Sequence, residues 1–174
     1  METALELRLA KHLAPPPPHA EGSAANNNNN VAFSPLSVHA ALAIAGARGA
    51  TQAQLLAFLG GPSAEELADF GRLVADSVLA DRSGAGGPRV LFGGGVWVDA
   101  ALGGLTDAFR DVAAEVYKSE ARTVRFAEEP ETAVKMINSW VKKATENLVD
   151  SISSSDNAAE TDLVLANAIY FKGD

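Results

Sequence analysis

The chain has no cysteine. That absence excludes disulfides, thiolate zinc sites and cysteine nucleophiles. No run approaches the ~18 consecutive apolar residues that a membrane-spanning helix needs. The opening METALELRLAKHLA places Glu2, Glu6, Arg8 and Lys11 inside its apolar pattern, whereas a signal peptide needs an unbroken apolar core. There is no N-x-S/T sequon. Positive charge is scarce: 14 Lys and Arg stand against 22 Asp and Glu, a net charge of −8. Such a surface argues against nucleic acid or an anionic membrane as the main partner. A cytoplasmic location is favoured.

Catalytic signatures are missing too. His12, His19 and His39 fall on a terminal helix, in a proline-rich linker and on an apolar helix, with no shared spacing. Neither a G-x-S-x-G elbow nor H-E-x-x-H occurs. Gly84 to Gly87 and Gly93 to Gly95 match neither the P-loop nor the dinucleotide fingerprint, because no Lys-Ser/Thr follows and the spacing fails. No enzyme, metal site or cofactor is expected.

What is present is a globular balance, 47% hydrophobic and 21% charged residues. A single unit of 174 residues can bury about 70% of its unfolded surface. Residues 1–14 read as an amphipathic helix with Leu5, Leu9 and Leu13 in line. Residues 15–30, rich in Pro and Asn, read as a loop that cannot build a core. Val31 to Phe33 reads as a short strand. Ser34 then caps a helix with Pro35 at its first position. From Leu36 to Ala47 that helix is apolar all round, so it must be buried. Gly46 to Gly49 breaks it, Thr51 is placed to cap a second helix, and Gly60-Gly61-Pro62 ends that one.

Ser63 and Glu66 form a capping box for a third helix running to about Leu79, with Leu67, Phe70, Leu73, Val74 and Val78 as its stripe. Asp81 to Pro88 is a glycine-rich turn. Arg89 to Asp99 reads as an interior strand, with Val90, Phe92, Gly94, Val96 and Val98 on one face and Leu91 and Trp97 on the other. Leu105, Phe109, Val112 and Val116 mark a helix, and Ala121 to Phe126 a short strand. Acids at Glu128, Glu129 and Glu131 open a helix over 131–149, its stripe Val134, Ile137, Val141, Ala144 and Leu148. Asn147 suits a left-handed cap. Leu163 to Phe171 alternates with apolar residues on both faces, a strand that belongs mid-sheet. At the end of a chain such a strand exposes an apolar edge unless something pairs with it.

Six patches in this order resemble the N-terminal part of a serpin, above all a plant serpin: NVAFSPLSVHAAL, GATQAQLLAFLG, SVLADRSGAGGP, GVWVD, INSWVKKAT and LVLANAIYFKG. The resemblance implies an α+β, incomplete serpin fold. Residues 31–33 would be a strand of sheet B, and 34–46 the central helix. Residues 89–99 and 162–172 would be neighbouring strands of sheet A, with the 131–149 helix lying across it. Ser34, Ser37 and Asn167 match the family's polar shutter cluster. Asn138 and Trp140 match positions on the overlying helix.

Serpins are suicide-substrate inhibitors of serine, and sometimes cysteine, proteases. The target cleaves a reactive-centre loop, which inserts as a strand into sheet A, and completing the sheet releases stored strain. The resemblance places that loop near a serpin's C-terminus, beyond Asp174, along with most of sheet B and all of sheet C. Here the last strand reads FKGD, without the family's tryptophan. The buried helix is about two residues shorter than in plant relatives, turning its later face by roughly half a turn. Gly93-Gly94 replace a favoured Ala-Asn and should loosen their strand. The expectation is therefore a truncated, non-inhibitory serpin. The alternatives are an interaction module, pairing strand 163–171 with another chain or a second copy, and a truncated gene product without function. Serpins also occur outside cells, which leaves an extracellular location open.

Overall fold

The computed structural model describes residues 49–59 and 63–173. The expected elements at 1–14, 15–30, 31–33 and 34–46 lie outside the described residues. Helix α1 spans Gly49–Leu59. It starts ahead of Thr51, which lies inside it rather than capping it, because Ala50 is a strong helix former.

Helix α2, Ala64–Leu73, is capped by Ser63, whose hydroxyl accepts from Glu66 N at 3.1 Å. Glu65 and Glu66 in the first turn and Arg72 in the last agree with the helix dipole. The helix expected to continue to Leu79 instead widens into a π-helical turn at Val74–Val78, closed by Leu79 N on Val74 O at 2.9 Å. The extra residue per turn rotates the stripe. Val74 and Leu79 are buried, while Leu73 and Val78 face outward. In the following turn Arg82 N bonds Pro88 O at 3.2 Å, and Gly86 takes φ +76, which glycine adopts without strain.

Strand β1, Arg89–Asp99, is the centre of the sheet. Strand β2, Ser119–Val124, runs parallel to it from Gly94↔Ser119 to Asp99↔Val124. Strand β3, Leu163–Lys172, runs antiparallel from Arg89↔Lys172 to Val98↔Leu163. The order is β2-β1-β3. Parallel neighbours need a crossover, and helix α3, Asp107–Glu115, supplies it. Thr106 caps α3 by accepting from Phe109 N at 3.2 Å. Its buried stripe runs through Phe109, Ala113 and Val116, and Val112 faces outward instead of joining it.

Helix α4, Pro130–Ala144, covers the opposite face. Proline sits where its missing N–H costs nothing. The helix stops short of the expected 149. The Thr145 hydroxyl donates to Val141 O at 2.8 Å and accepts from Val149 N at 3.0 Å. Glu146 (φ +50) and Asn147 (φ +66) then enter the left-handed region. Leu148 therefore leaves the stripe and is exposed.

Alternation along the strands sorts the core into two faces. Trp97, Val124, Val164 and Ala166 pack with Phe126 against Ala133, Met136, Ile137 and Trp140 of α4. Val96, Val98, Ala121 and Leu165 pack against Phe109, Ala113, Val116 and Tyr117, with Ala68 of α2. Farther along β1, Val90 and Phe92 meet Phe70, Val74 and Leu79. The α+β class, the neighbouring strands and the helix across them are as expected. Strand β3 is at the sheet edge among the described residues, not mid-sheet; Val164 and Ala166 are covered on one face and Leu165 on the other, while Leu163, Ile169 and Phe171 are exposed.

Candidate functional site

Strand β1 runs unbroken through Gly93 to Gly95. Gly93 and Gly95 lie where α4 and the indoles come close. A Cβ on Gly93 would stand 3.2 Å from Ala144 Cβ and 3.5 Å from Trp140 Cζ2. A Cβ on Gly95 would stand 2.2 Å from Trp97 Cη2. Trp97 is wholly buried and its Nε1 makes no hydrogen bond among the described residues, so its contribution there is packing. Trp140, half-buried, meets it edge to face, a geometry that aligns a positive ring edge with a negative ring face.

Asn138, also on α4, ties down the loop that leads to β3. Its Oδ1 accepts from Ile152 N at 2.9 Å and Ser153 N at 3.1 Å, while Nδ2 donates to Ser153 O at 2.9 Å. Lys142 Nζ adds an ion pair to Asp150 at 2.9 Å. Arg89 at the start of β1 pairs with Glu146 just past α4. The helix and its return loop are thus lashed together.

Asp99 is a site that reading the sequence as strand and turn did not reveal. Its Oδ1 accepts from Ala101 N at 2.7 Å and caps a 3-10 turn over Ala100–Leu102. Its Oδ2 accepts from Phe126 N at 2.6 Å, at the β2–α4 connection. Its own N–H bonds Asp162 O at 2.9 Å, at the entrance to β3. The Ala101 amide first, and those of Phe126 and Ala127 after it, hold this carboxyl below the ordinary carboxylate value against the opposing effect of burial. An Asp directly before a helical turn is a cap signal in sequence. Its second attachment, 27 residues on, carries no local signal.

Of the shutter residues, Asn167 is half-buried on β3, directly opposite Gly94. Gly94 presents it with no cross-strand side chain. Ser34 and Ser37 lie outside the described residues. Strand β3 carries Leu163, Ile169 and Phe171 on one face at 47%, 38% and 67% exposure. No group of three His, Asp or Glu among the described residues is arranged to hold a metal. No helix among them is long and apolar enough to cross a membrane.

This fold and its sequence have many counterparts. The family model Serpin (serine protease inhibitor) matches residues 20–174. Putative serpin-Z5 of Oryza sativa subsp. japonica is 50% identical over 143 residues, covering 81% of this chain and 32% of that protein. Serpin-Z2A of the same plant is 45% identical over 174 residues, covering 98% of this chain and 39% of that protein. The native stressed conformation of Arabidopsis AtSerpin1 superposes with a TM-score of 0.84 at 32% identity, over 99% of this chain and 42% of that one. The chain belongs to the serpin family. It spans 32% and 39% of the length of these two curated relatives.

Proposed function

We propose that these 174 residues do not by themselves inhibit a protease, and that their working feature is the open edge of β3. The observation that carries this reading is the edge itself. Among the described residues β3 pairs only with β1, and Leu163, Ile169 and Phe171 along it are exposed. The share of the relatives that the match spans supports the same reading, since the serpin resemblance places the bait loop toward the far end of a family member. A trap needs a cleavable loop and a sheet that opens to receive it. Half of a sheet supplies only the receiving edge.

Titration of trypsin-like and chymotrypsin-like serine proteases and a papain-like cysteine protease with the purified chain tests this. Full protease activity at molar excess, with no SDS-stable adduct, is the expected result. One stoichiometric, SDS-stable complex overturns it.

The same edge favours a second reading, in which β3 pairs with another chain by strand addition. Main-chain hydrogen bonds would give affinity there and the alternate apolar side chains specificity. Light scattering across a concentration series tests the self-pairing form. Association that Ile169→Lys abolishes supports it, and a monodisperse monomer throughout counts against it.

A further inference from the structure

The loop between α4 and β3 holds Ser151, Ser153, Ser154 and Ser155, followed by Asp156, Glu160 and Asp162. The four serines are not equivalent. Ser153 is half-buried, its N–H and C=O both taken by Asn138. The Ser154 hydroxyl donates to Asp156 Oδ2 at 3.0 Å. Ser151 is exposed but lies outside the groove beside α4. Ser155 is exposed, its hydroxyl bonds no other group among the described residues, and it lines that groove.

The groove is about 400 Å³, and its polar lining is Glu131, Lys135, Asn138, Ser139, Lys142 and Asp150 besides Ser155. Lys142 is neutralised by Asp150 at 2.9 Å. Lys135 forms no ion pair among the described residues. The groove therefore holds one ammonium without an ion pair among those residues and two hydroxyls, Ser139 on the helix and Ser155 on the loop, of which only Ser155 lies in a non-helical segment ahead of acidic residues. A phosphate adds a charge of about −1.5 to −2 and three strong acceptor oxygens.

We propose that Ser155 is a phosphorylation site whose phosphate is held in this groove by Lys135, with Lys142 shared between it and Asp150. Ser155 Oγ attacks the γ-phosphorus of a nucleoside triphosphate. The O–P bond forms, the bond to the β-phosphate oxygen breaks, the nucleoside diphosphate leaves, and the hydroxyl proton passes to the kinase. Asp156 next to the acceptor, with Glu160 and Asp162 beyond, suits a kinase that selects downstream carboxylates. Asn138 already binds the loop at residues 152 and 153. The phosphate would add a second tether nearer β3, working against Glu131, Asp150 and Asp156, whose charges repel it.

The first test is to treat the whole chain with an acid-directed serine kinase and MgATP and to map the product by mass spectrometry. Phosphate chiefly on Ser155, lost in Ser155→Ala, supports the site. Phosphate only on other serines, or none, overturns it. The second test encodes phosphoserine at 155 and titrates it by phosphorus NMR. Its second pKa should fall below the ordinary value near ~6 by about 0.5 unit, the size set by an exposed ion pair, and Lys135→Ala should return it. Titration identical to that of a short phosphoserine peptide overturns the Lys135 contact. Both side chains are exposed, so far-UV circular dichroism should match the parent in every variant.

Discussion

Trp97 of β1 and Trp140 of α4 meet edge to face, ring centroids 5.1 Å apart and planes at 74°. The pair fastens the last turns of α4 to the middle of the sheet, over a floor that two glycines leave open. Trp140→Ala should cost about 3 kcal/mol, the low end for losing a packed indole because Trp140 is only half-buried. It should also remove much of the near-ultraviolet circular dichroism. Trp140→Phe, which keeps an aromatic edge, should cost less. A urea midpoint unmoved by Trp140→Ala would mean that α4 is held by its aliphatic residues instead.

Gly71 and Tyr117 pose a contest between local preference and packing. Alanine in a helix interior is favoured over glycine by about 1 kcal/mol. At Gly71, however, the new Cβ would stand 2.6 Å from Tyr117 Cε1, and that ring is buried among Val96 and Ala113. Overpacking of this kind costs roughly 1–3 kcal/mol, so it should outweigh the helix gain. Gly71→Ala is expected to lower stability in urea denaturation, and the loss should shrink when Tyr117→Leu is added.

Asn138 separates two kinds of hydrogen bond in one side chain. Asn138→Asp keeps the oxygen that accepts from Ile152 N and Ser153 N but loses the donor to Ser153 O. Asn138→Ala loses all three. Hydrogen exchange should therefore accelerate strongly at the amides of residues 152 and 153 in the alanine variant and little in the aspartate one. Global stability should fall by about 1–2 kcal/mol in Asn138→Ala. Equal exchange in both variants would show that the loop is held by Lys142 and Asp150 alone.

Asp99 predicts an acid-sensitive knot. Its folded-state pKa lies below the ordinary value of 3.8 because the amide of Ala101, then those of Phe126 and Ala127, favour the charged form. The native state therefore binds this proton more weakly than the unfolded chain does. The stabilisation is complete above the ordinary carboxylate value and is lost as pH falls through the lowered native one. Asp99→Asn should destabilise near neutral pH, and its stability should change less than the parent's across the acid range. Urea midpoints from about pH 7 to about pH 3 provide the check. Parallel curves for the two proteins would remove Asp99 from the account.

Elements with strong local signals were legible before any coordinates. Ser63 as a cap, Pro130 opening α4, Asn147 in a left-handed turn and the alternation of β1 and β3 all follow from residue type and spacing. Strand β1 even showed its two faces, because Trp97 and Val96 differ by the period-2 geometry of a strand. The misses share a physical cause. Val78 and Leu148 fit a helical stripe by spacing, but a π-helical turn in the first case, and a threonine hydroxyl followed by two left-handed residues in the second, turn them outward. The glycines of β1 looked like weakness in isolation and act as clearance once α4 lies across them.

The sequence by itself determined most of the described helices and strands, the Ser63 cap, the family pattern and the absence of thiol chemistry, because each depends on neighbours within a few residues. Only the tertiary structure decided that Asp99 joins β1 to the segment before α4, that Asn138 holds the return loop, and that Ser155 and Lys135 line one groove. Those contacts close loops of many residues, and no local propensity encodes which distant backbone amide a side chain will meet. Their geometry exists only after α4 has packed on the sheet, where burial of Trp97 and Ile137 fixes the helix and carries every polar contact on its outer side into place.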